Sequence, residues 1–515
     1  MKRLNILMAA LLLVGLSAQA QTLAMKSNGT TYLVDVHDVT QITFPKEEGV
    51  RKMDVQFTDD TSWKQPTADV QIVSPDEKTP VPGDPVTIGT TDNMADVLTN
   101  YMSNPEMAEG QVFYLKGGET YTLATTVNIY KGLTLQTDPA DLAQGKRAKV
   151  NVSSTNYTPF MLGRAPVAGE NEKLRLNIGA IRFVGIDFDC PDAKNYGDGA
   201  TAATSNYFMN MYSNGLGFDL SLIEWSDCSF QGIIRGFFRA QGKNEKNIYS
   251  IRVMGCDFYN CGYYTSNGGD YGYFFMDHMS MAKGNLCHNV YISDNVFYNN
   301  PKRALISDSN RDITWAEDVR WNIDIHHNTF VNFNCNANND ANSIIYLTTI
   351  PAGSTIGFHD NVYILTKDAA DSGRNLTTRG WYTNRVQGGD GTGRCTFNIY
   401  NNWTTNDADV WQNGKLFANR AIEATSNAPG ALYNSWGEDA AKYFPYGKDE
   451  LAVKVDNLKA IELMVSPNPK YMMGTTVTHN DWHTDTGITG LYYQQTDAVK
   501  ASGIYKSGAG AQHLR

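Results

Sequence analysis

The chain has 515 residues, of which 42% are hydrophobic and 19% charged. That balance excludes wholesale disorder and fits either several domains or one elongated repeat array. A formal net charge of -11 argues against a nucleic-acid partner, and it would repel acidic polysaccharides unless a local basic patch or a bound cation intervened.

The chain opens MKRLNILMAALLLVGLSAQAQ, with Lys2 and Arg3 as a charged head, Ile6 to Leu16 as an apolar run and Ala18-Gln19-Ala20 as a small-residue cleavage site. This pattern predicts a secretory signal peptide over 1–20, cut after Ala20, and export to the periplasm or the extracellular space. No later stretch approaches a membrane span, so membrane insertion is not expected. Residues 21–48 contain MKSNGTTYLVDVHDVTQITF, which predicts a small β-hairpin segment turning at Asn28-Gly29. Residues 49–90 are rich in Pro, Asp and Thr, and PDEKTPVPGDP at 75–85 reads as a linker or irregular segment. The one fair helix pattern, DNMADVLTNYM, follows within 91–108.

A repeat begins soon after. IRFVGIDF from Ile181, IEWSDCSF from Ile223, IRVMGCDF from Ile251, VYISDNVF from Val290, IDIHHNTF from Ile323, IGFHDNVY from Ile356 and FNIYNNWT from Phe397 superpose, with starts 28 to 42 residues apart. Each has period-2 alternation with apolar first and third positions, the signature of a strand. A second column reads GFFRAQ at 236–241, YFFMDH at 273–278, RALISD at 303–308, SIIYLT at 343–348, GWYTNR at 380–385 and KLFANR at 415–420. No amphipathic helix lies between the columns. Parallel strands without crossover helices predict a coiled solenoid whose turns stack, its open end plugged by the helix.

One column holds Ile186, Cys228, Cys256, Asn295, Asn328, Asn361 and Asn402. Turns about 4.8 Å apart would set these side chains one above another. Asparagine tolerates a bent backbone, and its amide can donate to one turn and accept from the next, which predicts an asparagine ladder. Phe258, Phe297, Phe330 and Tyr363, two places on, are expected to form an internal aromatic stack. The seven cysteines (190, 228, 256, 261, 287, 335 and 395) are too few for a disulfide scaffold. Cys228 and Cys256, on adjacent turns, are expected as stacked, unbridged thiols.

This pattern resembles the right-handed parallel β-helix of the pectate-lyase-like superfamily, which includes chondroitinase-B-like lyases. QVFYLKGGETYTLATTVNIYKGLTLQT at 111–137 strengthens the likeness, which covers roughly 95 to 440. The resemblance implies an all-β fold: a β-helix over 91–440 with an N-terminal capping helix, then a C-terminal cap and tail over 441–515. It also implies an exported lyase that cleaves a uronate-containing polysaccharide by β-elimination. Such a site lies on the outer face of one sheet, with a Lys or Arg base and calcium or another cation on the substrate carboxylate. The best matching cluster here is Lys302 as base and Arg303 as clamp, with His278 and Arg239 beside them and Asp277 and Asp308 as calcium ligands.

Aromatic residues suit sugar rings, because a flat apolar face carries a hydrogen-bonding tip. Tyr263, Tyr264 and Tyr271 in GYYTSNGGDYGY, and Trp315 and Trp381 near strand ends, are the expected substrate-binding residues, with Trp321 and Trp411 nearby in pattern. His326 and His359 share a column on adjacent turns, and stacked imidazoles could hold a metal or simply face solvent. Asp390, in GGDGTG, reads as a cation-binding turn or a flexible loop. The alternative to an enzyme is a non-catalytic glycan-binding protein using the same groove. A monomer is expected in either case.

Overall fold

The computed structural model describes residues 22–73, 83–152, 158–190, 207–231, 244–259, 288–298, 318–331, 350–364, 395–407, 437–465 and 491–515, except positions 29, 49 and 69, together with short pieces that include 236–240, 275–277, 305–307, 345–347 and 381–383. The protein is mostly β and is organised around three long parallel sheets. The chain visits the first, second and third sheet in turn, then returns to the first. One circuit runs from Asn289–Ser293 through Val296–Tyr298 and Ile306–Ser307 to Asn322–His326, which pairs in parallel with the strand that began it.

The alternating pattern determines which side chains face inward. Ile181, Ile223, Ile251, Val290, Ile323, Ile356 and Phe397 are direct partners along the first sheet, and all are buried. The expected aromatic column forms on the second sheet. Phe230 and Phe258 stack at 4.9 Å, Phe258 and Phe297 at 4.9 Å, and Phe297 and Phe330 at 5.0 Å, with Phe188 extending the row. Tyr363 is in register with Phe330 and donates its hydroxyl to the Phe333 carbonyl at 2.7 Å.

The corner between the first and second sheets departs from one expectation. The bent residue stands just before the asparagine column: Gly185, Asp227, Gly255, Asp294, His327, Asp360 and Asn401 take φ of 50° to 64°. This left-handed region is open to glycine and to few others, chiefly Asn, Asp and His. The sharp turn there aims the next side chain inward. Asn295 donates to Asn328 Oδ1 at 2.9 Å, Asn328 to Asn361 Oδ1 at 3.0 Å, and Asn361 to Asn402 Oδ1 at 3.1 Å. Each Nδ2 also reaches a carbonyl of the preceding turn, as from Asn328 to Ile292 at 2.9 Å. Cys228 and Cys256 occupy the same column as free, buried thiols and point at the equivalent carbonyls, those of Phe183 and Trp225, at 3.4 and 3.5 Å.

Both ends of the chain hold more structure than their composition suggests. The helix Met94–Ser103 buries Met94, Leu98 and Tyr101 against the first circuit. Before it, Thr22–Ser27 and Thr30–Asp35 form the expected hairpin. The stretch expected as a linker over 49–90 contains, among its described residues, four strands, Val50–Phe57, Ser62–Pro66, Val70–Val73 and the short Val86–Thr87. Alternation in MDVQF buries Met53, Val55 and Phe57, and Trp63 closes over them. This unit joins the first sheet, because Tyr32 and Leu33 pair with Leu176 and Arg175. An Arg164–Glu170 ion pair at 2.6 Å, with a 2.7 Å bond from the Tyr32 hydroxyl, ties the two together.

At the far end, Phe444 stacks on Phe397 at 5.2 Å and closes the core. Residues 491–515 do something else. They run back across the outer face of the second sheet, where Tyr259, Val296, Tyr298, Val331, Val362 and Ile364 make a second core with Leu463, Leu491, Tyr493, Ile504 and Leu514. The contacts advance by one tail residue per turn. Gly510 donates to the Asp360 carbonyl at 2.8 Å, Ala511 to Thr329 Oγ1 at 3.0 Å, Gln512 to Asp294 Oδ1, and His513 contacts Asp257 Oδ1 at 2.9 Å. Burial would lower the His513 pKa, but Asp257 and Asp294 outweigh it and push it up to about 10.

Candidate functional site

A strand that buries its first and third positions presents its second and fourth to the other face. On the first sheet the second positions form the column Arg182, Glu224, Arg252, Tyr291, Asp324, Gly357 and Asn398. The fourth positions bring Met254, Ser293, His326, His359 and Tyr400 into line. A groove of about 660 Å³ crosses three successive turns of this face. Tyr249, Arg252, Asn289, Tyr291, Asn322 and Asp324 provide its chemistry.

Arg252 is the groove's cation. It makes a long ion pair with Glu224 at 4.0 Å, and its side chain is half exposed, so part of the guanidinium still faces the groove. Tyr249 is 45% exposed and stacks on His288 at 4.8 Å. The side chains of Asn289 and Asn322 offer donors and acceptors of the kind that hydroxyl groups need. Asp324 closes the other end of the groove. Its Oδ1 lies 3.1 Å from His359 Nε2, and His359 Nδ1 lies 2.7 Å from Asp360 Oδ2. Glycine at 357 permits this approach, since a Cβ there would collide with the Asp324 carboxylate.

His359 is held between two carboxylates. Burial alone would lower its pKa, but Asp324 and Asp360 push it up to about 9, so it is cationic at neutral pH. Its ring stacks on His326 at 5.0 Å and on Tyr400 at 4.5 Å, and Tyr446 continues the pile 4.0 Å beyond Tyr400. His326 behaves oppositely. Burial, with help from charged His359, holds it below the ordinary imidazole value. It sits edge-on to Tyr291 at 4.9 Å, and its Nδ1 is 2.7 Å from His327 Nδ1. The stacked pair is therefore one charged and one neutral imidazole. Among the described residues no group of three His, Cys, Asp or Glu side chains is arranged to hold a metal ion.

Of the residues singled out from sequence, His326 and His359 belong to this face, and few of the others lie among the described residues. Arg239 lies on the third sheet with its guanidinium 5.0 Å from the Tyr207 ring centre, and its direct partner on the next turn is Asp277. Asp277 and Trp381 are in third-sheet strands, but their side chains are outside the described residues. Trp315 is partly buried and packs edge-on against buried Trp321 at 5.5 Å, which makes the pair core rather than groove. Lys302, Arg303, His278, Asp308, Tyr263, Tyr264, Tyr271, Trp411 and Asp390 all lie outside the described residues. Arg252, Tyr291 and Asp324 were not singled out, although their shared second position in three aligned segments was visible. No known family model, curated protein or solved structure matches the chain.

Proposed function

We propose that the protein is an exported right-handed parallel β-helix of the pectate-lyase-like kind that binds an acidic polysaccharide along the outer face of its first sheet. The three parallel sheets and the hydrogen-bonded asparagine column support the fold, with those asparagines as its ladder. One observation carries the function: a half-exposed guanidinium, Arg252, held only by a long 4.0 Å ion pair with Glu224, lies in a groove between tyrosines and side-chain amides. A guanidinium fork matches a uronate carboxylate. The tyrosines offer faces to sugar rings, and the amides pair with hydroxyls.

The neutral imidazole of His326, beside Tyr291, favours a second reading in which the bound chain is cleaved by β-elimination. In that reaction a base takes the proton on the carbon next to the carboxylate. The C–H electron pair becomes a C=C bond, and the C–O bond to the neighbouring sugar breaks, its oxygen leaving with a proton. A base for this step must be unprotonated at the working pH, which for an imidazole or an amine means uncharged. Lys302, with Arg303 as clamp, is the rival base for the same chemistry. The expected calcium ligands, Asp308 and the Asp277 side chain, lie outside the described residues, and among the described residues no group of three such side chains is placed to hold an ion.

The test is incubation of the full chain with a panel of uronate polysaccharides, followed by ultraviolet absorbance for the unsaturated product and by calorimetry for binding. Heat of binding that Arg252→Ala abolishes, without absorbance, supports a binding protein. Absorbance that Lys302→Ala or His326→Ala removes supports the lyase. Failure to bind any uronate polymer refutes both.

A further inference from the structure

The two stacked imidazoles of the first sheet differ in what meets their Nδ1 atoms. His326 and His359 are direct partners on adjacent turns, with parallel rings 5.0 Å apart. The next residue in each case, His327 or Asp360, is the corner residue of its turn, and the two share the left-handed backbone of that column, with φ of 53° and 55°. The two pairs are built alike. His359 Nδ1 meets Asp360 Oδ2 at 2.7 Å, and His326 Nδ1 meets His327 Nδ1 at 2.7 Å. One contact is thus made to a carboxylate on one turn and to an imidazole on the next.

An ionised carboxylate only accepts, so it holds a proton on the ring nitrogen it faces. With Asp324 on Nε2 at 3.1 Å as well, His359 keeps a proton on both nitrogens and has no lone pair to offer. The imidazole partner acts differently. Burial lowers the pKa of both His326 and His327, so both are neutral at neutral pH. Two neutral rings in Nδ1 contact share one proton, which means that one donates and the other accepts. The charged groups around the pair are Asp324, His359, Asp360, Asp294 and Arg515, and Tyr291 meets His326 edge-on at 4.9 Å. His327 stands in the corner column between Asp294 and Asp360. Flanking carboxylates favour an N–H over a bare lone pair on its other nitrogen, Nε2, which leaves its Nδ1 as the acceptor. The hydrogen bond on one nitrogen of an imidazole sets the state of the other. His326 then carries its proton on Nδ1 and a lone pair on Nε2.

Building on the proposed β-elimination, we infer that His327 is a positioning residue: by accepting from His326 Nδ1 it fixes the His326 lone pair on Nε2 and leaves His326, not His359, able to take the proton from the carbon beside the uronate carboxylate. His326 becomes an imidazolium in that step, and its Nδ1–H bond to His327 strengthens as the charge develops. The neutrality of the partner matters. A carboxylate in its place would hold a proton on His326 before the substrate arrived, as Asp360 does on His359.

The test is His327→Asp, which copies the neighbouring turn. Aspartate already takes this corner at 294 and 360, and asparagine at 401, so the backbone accepts either. Nitrogen-15 NMR of the full chain with labelled histidine reads tautomer and charge without any substrate. At pH 7 the wild type should show His326 neutral with its proton on Nδ1, and His327→Asp should show it charged. Cleavage of polygalacturonate and alginate, followed by ultraviolet absorbance, reads the consequence. With His326 raised to match His359, which is held up to about 9, His327→Asp should be about a hundredfold slower at pH 7 and recover toward pH 9. His327→Asn, which can accept without adding charge, should keep the wild-type pH profile. A His326 proton found on Nε2, or a pH profile that His327→Asp leaves in place, overturns the inference while the cleavage stands. Cleavage of neither polymer by the wild type overturns the β-elimination reading, and the role of this pair with it.

Discussion

Replacing Asn328 with leucine is the sharpest test of the buried amide column. Asn328 Oδ1 accepts from the Asn295 backbone N–H at 3.1 Å and from Asn295 Nδ2 at 2.9 Å. Its own Nδ2 donates to Asn361 Oδ1, to the Ile292 carbonyl and to the His326 carbonyl. The neighbours differ in what they keep. Asn295 Nδ2 still reaches the Val253 carbonyl, and Asn361 Oδ1 still accepts from the Asn328 backbone N–H. The Asn295 N–H keeps nothing, and Asn295 is fully buried. One orphaned buried donor costs about 1–3 kcal/mol, and the other lost bonds raise the total to about 2–4 kcal/mol. Leucine is close in size, so cavity effects are small. Denaturant unfolding followed by tryptophan fluorescence should show a clearly lower midpoint for Asn328→Leu than for a leucine placed at outward-facing Asn398. Equal midpoints would refute the reasoning, because they would mean that water already serves the Asn295 N–H.

Three further outcomes follow from the packing. His513 has a raised pKa, so its stabilising contact with Asp257 and Asp294 is fully present below the ordinary imidazole value of about 6.5 and is lost as pH rises through about 10. The stability gap between wild type and His513→Ala should therefore shrink from pH 6 toward pH 10, and a gap that widens contradicts the assignment. Burial holds the Cys256 thiol well above its usual pKa, so alkylation of Cys228 and Cys256 should require unfolding, and peptide mapping should find them unbridged. Removing residues 491–515 uncovers the Tyr259, Val296, Tyr298, Val331, Val362 and Ile364 face; the shortened chain should bind an apolar fluorescent dye and self-associate, and a soluble, dye-silent product would show that the tail contributes little.

Much of the scaffold could be read from the chain because it depends on local rules repeated many times. A buried strand must alternate, so the Ile251, Val290, Ile323 and Ile356 register could be found by superposing short segments. Asn295, Asn328 and Asn361 stood out because an amide among apolar neighbours demands a partner. The corner residues were harder, since Asp294, His327 and Asp360 resemble ordinary loop polar groups until their backbone angles are known. Residues 50–66 were misjudged because Pro, Thr and Asp around them masked a short alternating run ending at Trp63. The groove was missed for another reason. Arg252, Tyr291 and Asp324 are 33 or more residues apart in the chain, and no local rule links them; only the register of three turns brings them onto one face. Lys302 and Arg303 were chosen on charge density and lie outside the described residues.

The contacts of Gly510, Ala511, Gln512 and His513 with four consecutive turns bear on how this molecule could change in length. Excising residues 323–355 would leave the sheets content, since Val290 could pair with Ile356 and Asn295 could bond Asn361 as equivalents. The tail, however, would lose the rung at Thr329 and would have to bridge from Asp360 to Asp294 with one residue too many. It works as a gauge that counts rungs. A lineage that duplicated or dropped a coil between Asp257 and Asp360 would have to add or remove a residue near 511 at the same time, so the number of turns in that stretch is matched to a segment that is not itself a repeat.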